Sequence, residues 1–329
     1  MSEGFPRLLG DIGGTHARWA WQAQPGAALE DVVVVADTRA ESMYASAAAY
    51  LKRGGHAQPK WAGIGIATAV TGDDVRMTNH PWSFSISELK RSLGLERCLV
   101  INDFTALAMS LPALGPEDLR AVGAGTPVAD ATIGLLGPGT GLGVSGLMPG
   151  GPSRWWPLSG EGGHVTLAAT NDREAALLSW LRSRLGHVSA ERVLSGSGLV
   201  NLYQAICALD GATPGAVEPA DVTAAALSQA DAQCVAAVAQ FTAFLGNVAG
   251  NLALTLGARG GVYLGGGIVP RLGTAFDGAL FRQQFEAKGR FADYLAAIPT
   301  WIIVAAAPAL LGASRALDLM PAAAGSGNA

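Results

Sequence analysis

Charge is what this sequence has least of. Only 15% of its 329 residues are Asp, Glu, Lys or Arg, against roughly a quarter in an average globular chain. Lysine occurs only at Lys52, Lys60, Lys90 and Lys288, which excludes the polybasic segment of a membrane-surface protein. The formal net charge is −4 and the pI about 5.7, so the basic footprint of a nucleic-acid binder is missing too. Cys98, Cys207 and Cys234 lie far apart. They form no CxxC and give neither a disulfide framework nor a zinc site. The N-terminus MSEGFPRLL carries an acid and a proline where a signal peptide needs basic and then apolar residues. No run of about 18 uninterrupted apolar residues occurs. Residues 299–313 come nearest and contain Pro308. Together these absences predict a soluble chain in a reducing, cytoplasmic compartment, with no nucleic-acid or membrane partner.

Glycine stands out among what is present. There are 44 glycines in 329 residues, nearly twice the usual share of roughly 7%. The 17 prolines are an ordinary number, and no G-X-Y period runs through the chain, so a collagen-like tract does not explain the excess. With 50% apolar residues the chain is too hydrophobic to stay disordered. The combination predicts a well-buried globular protein with many tight turns or close backbone approaches to a ligand. At roughly 150 residues per domain, the length suggests two domains.

Strand-like and helix-like stretches alternate, which indicates an α/β class. Strands are expected at residues 8–12, 17–21, 31–36, 61–66 and 98–102, and helices at 42–52, 87–93 and 104–111. Ser87 is the expected N-cap of the second helix. Proline and glycine in residues 112–116 break both helix and sheet and form a candidate boundary. Beyond it, strands are expected at 132–136, 142–147, 262–264 and 301–305. Helices are expected at 172–185, 199–208, 310–319 and most of 221–256, the last in one or two pieces. Residues 321–329 read as a frayed tail. Residues 8–21 and 132–147 share one form: strand, glycine turn, strand. That echo fits two similar α/β domains facing one cleft.

Several short motifs carry chemistry. Gly10-Asp11-Ile12-Gly13-Gly14-Thr15 puts an acid at the end of an apolar strand, then two glycines and a threonine in a turn. Such a turn aims backbone N–H groups and a hydroxyl at a phosphate with no Cβ in the way. Asp11 can orient a hydrated Mg2+, which prefers oxygen ligands and keeps much of its water. An ordinary Asp/Gly hairpin reads the same way. Gly137-Pro138-Gly139-Thr140-Gly141 opens a second glycine turn, and residues 141–146 spell G-x-G-x-x-G. A dinucleotide fingerprint opens a helix, whereas 142–147 reads as a strand. A phosphate-cradling hairpin is therefore preferred over a nicotinamide site.

Asn102-Asp103 lies where a strand gives way to a helix, the position at which α/β proteins hold ligands. The carboxylate can take a proton from a substrate hydroxyl there, or the pair can simply cap the helix; spacing alone favours the cap. Glu161 and His164, set among Gly160, Gly162 and Gly163, can bond the hydroxyls of a polyol. A metal pair needs a helix that the glycines oppose, and a structural turn is the third reading. Glu191-Arg192, ahead of the turn at residues 195–198, carries no signal by itself. Gly265-Gly266-Gly267 lets a flat ring or a backbone come close, or merely turns the chain. GxSxG, GxxxxGK[ST], HRD and DFG are all absent, which excludes an α/β-hydrolase elbow, a P-loop and a protein kinase.

The strings GDIGGTHARWA, TNHPWSFSISELK, INDFTALAMSLP, GPGTGLGVSGL, GEGGHVTLA, ERVLSGSGLVNLY, GNLALTLGARGGVYLGGGIVPR, FEAKGRF and PALLGAS occur in that order. Together they closely resemble the bacterial glucokinase family, from about residue 8 to residue 318. The group resembled is the ATP-dependent one and not the ROK group, whose cysteine-rich zinc motif this chain lacks. The resemblance implies the hexokinase/actin-like ATPase (ribonuclease H-like) fold, with two α/β domains around a central cleft. The small domain would comprise residues 1–112 and 306–329, the large one 113–305. The implied reaction moves the γ-phosphoryl group of ATP to the 6-hydroxyl of D-glucose, the first step of glycolysis.

The resemblance also implies roles residue by residue. The catalytic base falls on Asp103, and sugar hydroxyls fall to Asn102, Asp103, Glu161, His164 and Glu191. Phosphates fall to Gly10, Asp11, Ile12, Gly13, Gly14 and Thr15 and to Gly139, Thr140 and Gly141. The adenosine side falls to Gly265, Gly266 and Gly267. ATP and Mg2+ are the implied cofactors, with the metal at Asp11, and the family is typically homodimeric. The chain departs from the family pattern at Pro138, where a small residue is expected, and at His16, where Asn is expected. Neither departure removes a required group.

Overall fold

The computed structural model describes residues 3–14, 16–36, 40–77, 80–215 and 218–319. Thr15 and the tail expected at 321–329 lie outside the described residues. In chain order the elements begin with β1 (Arg7–Ile12), β2 (His16–Gln22), β3 (Glu30–Ala36), α1 (Met43–Gly54), β4 (Trp61–Ile66), β5 (Asp74–Arg76), β6 (Ser83–Ser85), α2 (Ile86–Ser92), β7 (Arg97–Asn102) and α3 (Asp103–Ser110). They continue with β8 (Leu119–Val122), β9 (Ile133–Pro138), β10 (Leu142–Pro149), β11 (Trp155–Ser159), α4 (Asp172–Leu185), α5 (Gly196–Asp210), α6 (Pro219–Leu227) and α7 (Ala232–Leu256). The last are β12 (Val262–Leu264), α8 (Ile268–Leu272), α9 (Gly278–Glu286), α10 (Ala292–Ala296), β13 (Thr300–Ile303) and α11 (Pro308–Leu319). Each strand and helix expected above has a counterpart, and residues 221–256 form two helices, α6 and α7.

Contacts divide the chain into two units. The first comprises Met1–Leu114, Gly150–Ser159 and Ala305–Ala329. Its sheet has the order β3-β2-β1-β4-β7. β2 runs antiparallel to β1 and β3, whereas β1, β4 and β7 are parallel. β1 and β4 are buried almost throughout, so they read as near-continuous apolar runs and not as alternating ones. One face packs Leu8, Ile12, Trp19 and Ile64 with Met43 and Tyr50 of α1. The other packs Leu9 and Ala20 with Leu310 and Leu317 of α11. Arg7, 1% exposed, ties β1 to α11 by donating to Ser314 O and Oγ at 3.0 Å and by pairing with Asp318. The parallel register sets Asp11 beside Gly65 and Ile66 beside Asn102. β1, β4 and β7 therefore end at one edge of the sheet, and that edge carries Asp11 and Asn102.

The cap of α2 differs from expectation. Ser85, not Ser87, is the N-cap, and its Oγ accepts the Glu88 N–H at 3.0 Å. Ser87 is engaged elsewhere: its N–H and hydroxyl both donate to Asp73 Oδ1, at 2.9 and 2.6 Å. Either serine suits a cap chemically; Asp73 accepts from both hydroxyls, and Ser85 takes the cap because the helix begins at Ile86.

The second unit comprises Gly115–Pro149 and Gly160–Val304. Its strands follow the order β10-β9-β12-β13-β8. β10 runs antiparallel to β9, and β9, β12 and β13 are parallel. The run β10-β9-β12-β13 thus repeats the run β2-β1-β4-β7 of the first unit, which is the echo seen in sequence. The core is built on α7, whose 25 residues include no charged side chain. α7 is long and apolar enough to cross a membrane, yet two-thirds of its most apolar stretch is buried inside the protein. Phe241, Phe244 and Leu245 are fully buried with Phe281 and Phe285 of α9, which explains the absence of charge.

Candidate active site

In the first unit, β1 runs into Gly13 and Gly14, and Gly13 N donates to His16 O at 2.9 Å to close the hairpin. Gly10 and Ile12 are core positions. A Cβ on Gly10 would lie 2.8 Å from the Trp19 ring, and Ile12 is fully buried. Asp11 is the one side chain of β1 that this edge offers to chemistry. Its carboxylate is 14% exposed, and Oδ2 accepts Arg18 Nη1 at 3.0 Å. Burial pushes the Asp11 carboxyl upward and Arg18 opposes that rise. Motif reading missed Arg18. The signal was the hairpin register, which puts Arg18 directly opposite Asp11.

β7 ends at Asn102 and α3 starts at Asp103. Asn102 is the helix cap, its Oδ1 accepting Phe104 N at 2.9 Å and Thr105 N at 3.1 Å. Its Nδ2 donates to Asp103 Oδ1 at 2.9 Å, and Phe104 N donates to the same oxygen at 2.9 Å. Burial first, and the nearby Asp11 charge second, raise the Asp103 carboxyl from its ordinary 3.8 to about 7. The bonds from Phe104, from its own N–H and from Asn102 pull the other way and are outweighed. A carboxyl with a pKa near neutrality is suited to accept a proton from a hydroxyl. Asn102 thus takes the cap bonds, and Asp103 keeps the carboxyl with the raised pKa.

In the second unit, Gly139 N donates to Gly141 O at 2.8 Å, which closes the β9–β10 turn around exposed Thr140. Residues 142–149 form a strand, so the G-x-G-x-x-G string lacks the helix that a dinucleotide site requires. Gly266 has φ of +77°, and a Cβ there would lie 2.3 Å from Pro138 O. Gly265 N donates to Leu136 O at 2.8 Å, so residues 265–267 sit directly on the end of β9. Pro138, the departure noted above, supplies that contact. A Cβ on Gly267 would lie 3.6 Å from Cζ of the Arg271 guanidinium.

Glu161 precedes and His164 ends a single turn of 3-10 helix, Gly162–His164. Their side chains are each 61% exposed, with His164 Nε2 4.0 Å from Glu161 Oε2. Glu191 lies next to both loops: Oε2 accepts Leu142 N at 2.8 Å, and its own N–H donates to Gly163 O at 2.9 Å. Among the described residues no group of three or more His, Cys, Asp or Glu side chains could hold a metal. A lone carboxylate such as Asp11 fits only a cation that keeps most of its water and takes its other ligands from a substrate, as Mg2+ does.

A sheet built twice from a glycine-turned hairpin and two parallel strands, with helices on its faces, defines the hexokinase/actin-like ATPase class. Comparison with known proteins narrows this. The sequence profile of the family described as Glucokinase matches residues 8–320. A glucokinase of Aromatoleum aromaticum is 53% identical over 318 residues, 96% of each chain. One of Chromobacterium violaceum is 51% identical over 319 residues, covering 96% of this chain and 90% of that one. The crystal structure of a glucokinase from an Antarctic psychrotroph superposes with a TM-score of 0.86 at 34% identity, covering 95% of this chain and 98% of that one. The chain belongs to the glucokinase family, and it is an ATP-dependent hexose kinase.

Proposed function

We propose that this protein transfers the γ-phosphoryl group of ATP to the 6-hydroxyl of D-glucose, giving glucose 6-phosphate and ADP. The observation that carries this reading is the end-to-end match to curated glucokinases, 53% identical over 96% of both chains. Asp103 is the general base: its carboxylate takes the hydroxyl proton as the oxygen attacks phosphorus. Both hydrogen bonds that it receives from Asn102 and Phe104 land on Oδ1, so proton transfer falls to Oδ2. Asn102, Glu161, His164 and Glu191 are assigned sugar hydroxyls. A polar site of this kind rejects sugars with a missing hydroxyl because its own groups are then left unpaired.

Phosphoryl transfer needs mainly positioning and charge neutralisation. Backbone N–H groups of Gly14, Thr140 and Gly141 are assigned to the phosphates, while those of Gly13 and Gly139 close their own hairpins. Gly265, Gly266 and Gly267 are assigned to the adenosine side. Mg2+, when bound, neutralises phosphate charge, and Asp11 is the residue that would orient its water. A cytoplasmic homodimer acting at the first step of glycolysis belongs to the same reading.

A coupled assay of ADP release over a panel of hexoses tests it. Turnover with glucose well above that with its deoxy and epimeric analogues is expected. ADP release with none of them would overturn the assignment.

A further inference from the structure

Residues 190–196 hold together two loops of the second unit that are assigned to different substrates. On the phosphate side, Glu191 Oε2 accepts Leu142 N at 2.8 Å, and Gly196 N donates to Gly139 O at 2.9 Å. The hairpin turn is therefore gripped at both of its feet. On the sugar side, Glu191 N donates to Gly163 O and Ala190 N to Val165 O, each at 2.9 Å. A third contact closes the triangle: a Cβ on Gly163 would lie 2.1 Å from Leu142 O. The far end of the strap is fixed by Ser195, which is 1% exposed. Its Oγ donates to Glu191 O at 2.8 Å and accepts Gly198 N at 3.0 Å as the N-cap of α5. A Cβ on Gly141 would come within 2.4 Å of Glu191 Oε2 and would push that carboxylate aside.

We infer that Glu191 is a positioning residue that locks the phosphate hairpin to the sugar loop, so that occupation of either loop sets the affinity of the other. A carboxylate accepts through both oxygens. Glu191 can hold Leu142 through Oε2 while Oε1 meets a sugar hydroxyl, and a shift of one bond moves the other. Such coupling is reciprocal by thermodynamic necessity. The inference rests on the substrate assignments proposed above.

Crossed binding measurements test it, each with one ligand alone. Gly141→Ala pushes on the Glu191 carboxylate from the hairpin side, and its affinity for D-glucose without nucleotide should fall about fivefold or more. Glu191→Ala leaves Leu142 N without its acceptor, and its affinity for Mg·AMPPNP without sugar should fall by a similar factor. Glu191→Gln keeps an acceptor for Leu142 N and should restore AMPPNP affinity to within about twofold of wild type. A purely structural role moves neither cross-term selectively. Either cross-effect missing in a folded variant overturns the inference. If Gly141→Ala fails to fold, the Glu191→Ala and Glu191→Gln pair decides alone. Wild-type protein that binds neither glucose nor AMPPNP sinks the substrate assignment and this inference with it. Wild type that binds both, with no cross-effect in the variants, sinks this inference only.

Discussion

Asp103 is held in a state that costs stability and that would serve the proposed proton transfer. Its carboxyl is raised to about 7, so the folded protein keeps a proton there that the unfolded chain loses near the ordinary 3.8. Folding stability from this group is full below that ordinary value. It is lost as pH rises through the window and is fully absent above about 7. The catalytic limb has the opposite sign, because only the deprotonated carboxylate accepts a proton, so kcat/KM should climb with pH through about 7. Asp103→Asn separates the two effects. Its kcat should fall by at least about 10²-fold. Its melting temperature at pH 8 should exceed that of wild type by about 2 °C or more, the gap shrinking towards pH 4. Steady-state kinetics and melts across pH check both, and near-normal turnover in the variant would remove Asp103 from its role. The sequence alone favoured a cap at this place. It could not show that Asn102 takes the cap bonds, because the choice lies in side-chain geometry.

Elements whose partners are near in sequence were the legible ones. The hairpins β1–β2 and β9–β10 announce themselves through apolar runs flanking glycine turns. The contacts that fix α3 were not legible, because they come from the other end of the chain. α11 crosses α3 at Gly312, where a Cβ would lie 1.7 Å from Ala106 O, and it meets β4 at Gly63, where a Cβ would lie 2.7 Å from Ala313 O. Both obstacles are backbone atoms, so no side chain can move aside. An exposed helical Gly→Ala change ordinarily gains about 1 kcal/mol, but here overpacking dominates. Gly312→Ala should lose about 2 kcal/mol or more, seen as a melting temperature lower by several degrees. Because α3 begins with Asp103, kcat should fall as well. A variant as stable and active as wild type would mean that α11 does not set the position of α3.

At the scale of the whole molecule, scarcity of charge organises function. The chain carries a formal net charge of −4, and Asp11 and Asp103 lie close enough for the charge of one to raise the pKa of the other. A nucleotide triphosphate would add negative charge to that neighbourhood. Arg18 answers the Asp11 carboxylate at 3.0 Å but is already committed to it, and backbone N–H groups supply only partial charges. Under the proposed function, a divalent cation carried in with the nucleotide would supply the neutralisation. Composition could exclude a zinc framework but could not place Asp11 beside Asp103, since that follows from the parallel pairing of β1, β4 and β7. Among the described residues no group of three or more His, Cys, Asp or Glu side chains could hold a metal ion, and both cores are packed from apolar side chains. EDTA should therefore abolish turnover while leaving the melting temperature of the free protein within about 1 °C of its starting value. Added Mg2+ should restore the rate in full. A large drop in melting temperature with EDTA would reveal a structural metal, and turnover that survives EDTA would leave Asp11 without the role proposed for it.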